Sequence, residues 1–185
     1  MVVVVLAANY FHIFSPAKEA VSDEQKAATE ESGEEGGADP AMAIDSSGRE
    51  LVESILTAQI NGPAFSADDI KAIAVKYERV PASPAHARHL SDLGAGELAS
   101  DDLESAELHT FESLGQDPLR AVAWGNLGLI YAKKEEKEKA VACLLIRKTV
   151  SPKEATAYLK SLKADKNSLI HDAAEEALKE ISTQQ

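Results

Sequence analysis

The stretch "DPLRAVAWGNLGLIYAKKEEKEKAVACLLIRKTVSP", residues 117–152, decides the fold. Asp117 followed by Pro118 reads as a helix N-cap and a first-turn proline. Leu119, Val122, Ala123, Leu127, Ile130 and Tyr131 then recur at helical spacing. A polar turn around Lys134 and Glu135 separates them from a second helical run, "KEKAVACLLIRK". Ser151, Pro152 and Glu154 repeat the cap pattern and open the next helix. Two helices joined by a short turn form an antiparallel hairpin. Gly128 and Ala140 are small where its two arms approach. The same stretch holds the only cysteine, Cys143, among Val141, Leu144 and Leu145. That setting suits a small core residue better than a reactive thiol.

Moving the chain by 34 residues shows that this hairpin has copies. Pro84, Pro118 and Pro152 fall in register, as do Ala72, Ala106, Ala140 and Ala174. Leu56, Leu90, Trp124 and Tyr158 also align, and Leu93–Gly94 lands on Leu127–Gly128. With proline near 5% of ordinary sequence, the proline agreement alone arises by chance roughly once in 400.

The stretch resembles the tetratricopeptide repeat family. Trp124, Leu127, Gly128 and Tyr131 match its W-x2-L-G-x2-Y signature, Ala140 the small residue of its second helix, and Pro152 its closing proline. The match is best over residues 121–154. The unit at 87–120 has Leu90 and Glu97 in place of the aromatics. In the unit at 53–86, Asn61-Gly62-Pro63 cuts the first helix short, and the unit from 155 lacks the Leu-Gly pair. The resemblance implies an all-α fold: a right-handed superhelical stack of antiparallel helix pairs, or TPR-like α-solenoid. It also implies a concave groove, lined by the first helix of each pair, that holds a peptide or a partner helix. Carried onto this chain, Arg88, Ser91 and Ala95 from one unit, and Val122, Gly125, Asn126 and Leu129 from the next, would face that groove. Arg88 and Asn126 are the candidates for clamping a peptide carboxylate. A HEAT-like helical repeat is the rival, since "LRAVAWGNLGLI" and "IHDAAEEALKEI" both fit its second helix. They lie 51 residues apart, against its usual ~40–47.

Outward from the hairpin, residues 47–185 read as helices throughout. Ser47 with Glu50 forms a capping-box pattern before "LVESILTAQI", and Ser66 precedes a run with Ile70, Ile73, Ala74 and Tyr77 on one face. Pro81 and Pro84 end that run. "HARHLSDLGAG" stops at Gly94, and Ser100 opens a helix that closes at Gly115. Ala155, Tyr158, Leu159 and Leu162 form one further stripe; Ile170, Ala174, Ala177 and Ile181 form another.

Residues 15–46 are a different material. Between Lys18 and Pro40 two lysines face eight acids, with almost no large apolar side chain. This predicts a disordered, self-repelling tether. Residues 1–14, "MVVVVLAANYFHIF", are apolar but span only about 21 Å as a helix, against roughly 30 Å of hydrocarbon. They read as a truncated membrane anchor, as the apolar region of a signal peptide, or as a buried element of the fold. An apolar end ahead of an acidic tether resembles a single-pass anchor. Few basic residues flank it, which favours an extracytoplasmic domain, periplasmic if bacterial.

Composition narrows the function. The net charge of −12 repels phosphate backbones, so nucleic acid is not an expected partner. His86 and His89, with Asp92, could offer a metal one helix face, but no fourth ligand is evident, and neither a metal nor another cofactor is expected. His109 and His171 stand alone, and no nucleophile has a partner at motif spacing. Trp124 reads as packing between helices. The expectation is a non-catalytic scaffold or adaptor that binds a protein or peptide and is anchored by its N-terminus. The alternatives are a structural subunit of a larger complex and, less favoured, a metal-dependent enzyme.

Overall fold

Every regular element is a helix among the described residues of the computed structural model, which are 46–62, 65–77 and 84–183. The apolar segment 1–14 and the tether 15–46 lie outside them, apart from Ser46. The eight helices described are α1 (Ser46–Asn61), α2 (Ala67–Val75), α3 (Pro84–Ala99), α4 (Leu103–Gln116), α5 (Ala121–Lys133), α6 (Lys137–Val150), α7 (Pro152–Leu162) and α8 (Ser168–Thr183).

The 34-residue period is real at the level of the hairpin. α4 and α6 begin and end 34 residues apart. The turns before them use the same backbone device: Asp101 at φ 63° and Glu135 at φ 64°. The Asp102 N–H donates to the Glu97 carbonyl at 3.0 Å, and the Glu136 N–H to the Tyr131 carbonyl at 2.9 Å. A left-handed residue after a helix satisfies carbonyls that would otherwise be orphaned. Close approach also recurs. A Cβ built on Gly94 would lie 3.1 Å from the Ala106 carbonyl oxygen, and one on Gly128 would lie 3.4 Å from that of Ala140.

The expected superhelical stack does not follow from these hairpins. In an open solenoid each repeat touches only its neighbours. Here α1 lies on both α4 and α6, and α8 packs on α6 and reaches α5. The result is an eight-helix bundle around one main core. Two sequence features cause the closure. α1 carries four large aliphatics, Leu51, Val52, Ile55 and Leu56, all buried in that core with Phe111, Leu114 and Leu144. α8 presents Ala173, Ala174 and Ala177, all buried, between Ile170 and Ile181, and small side chains let a helix lie close to its neighbours. Moreover, α7 and α8 each start three residues ahead of the 34-residue register, so the third pair cannot repeat the docking of the first two. With neighbours on several sides, α5 is buried at every residue from Ala123 to Gly128.

Several helix ends differ from expectation. Gly94 is no stop: α3 continues to Ala99, because this glycine is needed for approach to α4. Asp102, not Ser100, caps α4, its carboxylate accepting the Ser105 N–H at 3.2 Å. α4 runs through Gly115, which is buried in its last turn. Asp117 accepts from the Leu119 N–H two residues on, so it shapes a turn; α5 starts at Ala121. α1 starts at Ser46, which puts Ser47 inside its first turn. Ser66 does cap α2, in a reciprocal capping box with Asp69.

Candidate partner-binding surfaces

The residues expected to line a concave groove lie on α3 and α5, which pack together. Asn126, buried, donates its Nδ2–H to the Ser91 carbonyl at 3.1 Å, and Ser91 is itself buried. Gly125 is buried as well: a Cβ there would meet Arg147 Nη1 at 2.5 Å and the Tyr158 hydroxyl at 3.1 Å. Ala95 and Leu129 are half-buried, and Leu129 packs against the core. The open positions of the seven are Arg88, which pairs with Asp92 at 3.7 Å, and Val122 at 38% exposure. The structure therefore brings Ser91 and Asn126 together as an interior polar seam and leaves Arg88 and Val122 outside it. Arg88 and Asn126 do not share one surface.

Trp124 is fully buried and donates its indole N–H to the Pro118 carbonyl at 2.8 Å, which agrees with a packing role. Cys143 is fully buried, and desolvation pushes its thiol well above the usual range. His86 and His89 are exposed. His109 Nδ1 lies 2.8 Å from a Glu97 carboxylate oxygen, and His171 donates to the Lys163 carbonyl at 2.7 Å. Among the described residues, no three His, Cys, Asp or Glu side chains group as a metal site would need. No helix among them is long and apolar enough to cross a membrane.

Sequence reasoning overlooked the surface between α1 and α2. α2 has nine residues and packs on α1, to which it adds one fully buried side chain, Ile70. Its C-terminal end is fastened to α1 by Tyr77, whose hydroxyl bonds Ser54 and donates to the Glu50 carbonyl at 3.4 Å. Its N-terminal end is held by the Ser66–Asp69 box. Between these points lies an open groove of about 980 Å³. Ala58, Phe65, Ala72, Ile73 and Tyr77 supply apolar lining, and Glu50, Glu53 and Asp69 supply carboxylates beside a single ammonium, Lys76. Two hydrogen bonds from Ser66 hold the Asp69 carboxyl below the usual carboxylate range. The legible signal was the stripe Ile70, Ile73, Ala74 and Tyr77. It is wider than the one buried position α2 uses, which leaves apolar side chains half-covered.

A smaller cleft of about 460 Å³ lies where α1, α6 and α8 meet, over Ile60, Val141, Ala142 and Leu145. Lys137 and Glu176, paired at 2.7 Å, stand at its edge. Compared with protein-family models, with curated proteins and with solved structures, the chain matches none.

Proposed function

We propose that this helical domain is a non-catalytic protein-interaction module that seats a segment of its partner in the α1–α2 groove, and that residues 1–14 tether it to a membrane. The observation that carries the reading is the half-buried apolar lining of that groove, Phe65, Ile73 and Tyr77, on a helix that spends only Ile70 on the fully buried core. Apolar side chains gathered in a groove with a polar rim are the usual form of a helix- or peptide-binding site. A photo-crosslinking residue at Ala72, which is exposed in the groove, tests it in the source cells. The expected result is a defined protein adduct that disappears when Ile73 is changed to Asp. Adducts equal to those from a crosslinker at exposed Lys160 would refute it. The tether rests on the sequence of residues 1–14, and membrane fractionation of the chain with and without them checks it.

A second reading, a structural subunit held permanently in a complex, draws on Leu93 and Val122, large apolar side chains exposed on α3 and α5 at 39% and 38%. Size measurement of the isolated chain separates the two: a well-behaved monomer favours the module, and a chain soluble only with its partner favours the subunit.

A further inference from the structure

The carboxylates of the α1–α2 groove do not balance. Glu50 and Glu53 come from α1 and Asp69 from α2, so both walls carry negative charge, against Lys76 alone. Arg49 does not neutralise them. Its guanidinium stacks 4.5 Å from the Phe111 ring centroid, and its nearest approach to Glu53 is a loose 3.9 Å. Lys71, the other nearby cation, pairs with Asp68 at 2.8 Å, outside the groove lining. The surrounding field has the same sign: the net charge is −12, and the residues leading into α1 carry eight acids against two lysines between Lys18 and Pro40. Acidic walls beside an apolar lining select an occupant of opposite charge that also has an apolar stripe.

Resting on the reading of this groove as a docking surface, we propose that its occupant is a cationic amphipathic helix of a partner protein. The apolar stripe of that helix would lie on Phe65, Ile73 and Tyr77, and its Lys or Arg side chains would face Glu50, Glu53 and Asp69. The groove is open along one side, so it takes side chains from one face of a helix and leaves the other face in water. The chain's own residues 1–14 suit it less well, because they are apolar without lysine or arginine.

The test uses the full chain carrying Val75→Cys labelled with an environment-sensitive dye; Val75 is 76% exposed and the native Cys143 is buried. The probes are an 18-residue Leu/Lys peptide of helical periodicity, the same peptide with Glu for Lys, and a Leu/Lys peptide of identical composition without that periodicity. The expected result is saturable binding of the first alone, weakened roughly tenfold or more between low and high salt and by a similar factor in Glu50→Gln/Glu53→Gln. Ala72→Glu, at an exposed position that leaves the core intact, abolishes it, whereas Glu154→Gln on α7 leaves it unchanged. If Ala72→Glu abolishes binding and the double Gln variant does not weaken it, the groove stands and the cationic assignment falls. If neither variant matters, or the acidic or aperiodic peptide binds equally, both fall. Affinity that rises tenfold on removal of residues 1–14 assigns the groove to the chain's own N-terminus and overturns the partner proposal.

Discussion

The guanidinium of Arg147 lies 3.7 Å from the ring centroid of Tyr158, and its Nη1–H donates to the Ala121 carbonyl at 2.9 Å. One side chain from the end of α6 thereby joins the start of α5 to the middle of α7. It also fills the space beside Gly125 that an open groove on α5 would need. Stacking of arginine on tyrosine away from full solvent contributes about 1–2 kcal/mol. Tyr158→Ala is expected to lower unfolding free energy by at least that amount, because packing is lost with the ring. Arg147→Lys is expected to keep the charge and lose the stacked plane, at a cost of about 1 kcal/mol. Urea denaturation followed by circular dichroism measures both; no change in either midpoint would show that the contact does not hold α7 in place.

Gly94 and Gly128 occupy equivalent places but are expected to respond differently to alanine. At Gly94 the new methyl would stand 2.7 Å from Thr110 Oγ1 and 3.1 Å from a backbone carbonyl, so the helices must separate. At Gly128 the nearest atoms are Leu144 side-chain carbons at 3.2 Å, which can give way. Alanine gains about 1 kcal/mol over glycine in a helix, which offsets mild crowding. Gly128→Ala should be near neutral, and Gly94→Ala should destabilise by about 1–3 kcal/mol. Thr110 Oγ1 is buried without a hydrogen-bond partner among the described residues, so Thr110→Ala should recover part of the Gly94→Ala loss. Equal thermal midpoints for the two glycine variants would contradict the assignment.

Asp101 and Glu135 hold left-handed backbone without being glycine. That conformation costs an L-residue about 1 kcal/mol, and glycine removes the cost. Glu135→Gly is expected to raise stability by about 0.5–1 kcal/mol. At Asp101 the gain is reduced by loss of its 2.6 Å pair with Lys133, which is mostly exposed on the aspartate side and so contributes little. A differential scanning measurement in which both glycine variants melt earlier than the parent would overturn this account of the turns.

Cys143 should be silent in the native chain. It is fully buried on α6, and burial raises its thiol pKa, so thiolate is scarce even above neutral pH. Reaction with an aromatic disulfide reagent is expected only at the rate of unfolding and to accelerate with urea in step with loss of helix. Rapid modification of folded protein would mean that α6 is far more accessible than its burial states.

Asp69 gives the groove helix a dependence on acid. Its carboxyl is held below the ordinary value of 3.8 by Ser66, so the folded form favours the carboxylate. The stabilisation is therefore present above pH 3.8 and is lost as pH falls through the lower folded value. Asp69→Asn should show a shallower acid limb than the parent when helicity is followed below pH 4. Superimposable acid limbs would show that the capping box does not hold α2.

Much of the interior was legible one residue at a time. Spacings of three and four place Ile170, Ala174, Ala177 and Ile181 on one stripe, and all four are buried. Register at 34 residues marked Gly94 with Gly128 and Ala106 with Ala140, which meet across their hairpins. These are local facts: a helix face and a two-helix turn are set by neighbours within a few residues, where periodicity, caps and small side chains act directly.

What periodicity could not contain was how the hairpins are gathered. A 34-residue period describes pairs but says nothing about a helix outside the period. α1, whose Leu51, Val52, Ile55 and Leu56 needed cover, found it on α4 and α6 rather than in a first stacked pair. A three-residue advance in α7 and α8 turned the third pair inward, so positions read as groove-facing, Gly125 and Asn126, became interior. The α1–α2 groove is the remainder of the same process. Hydrophobic burial is proportional to area and indifferent to sequence order, so the sequence alone determined which faces had to be covered, and only the tertiary structure decided which neighbour covered each and which was left open.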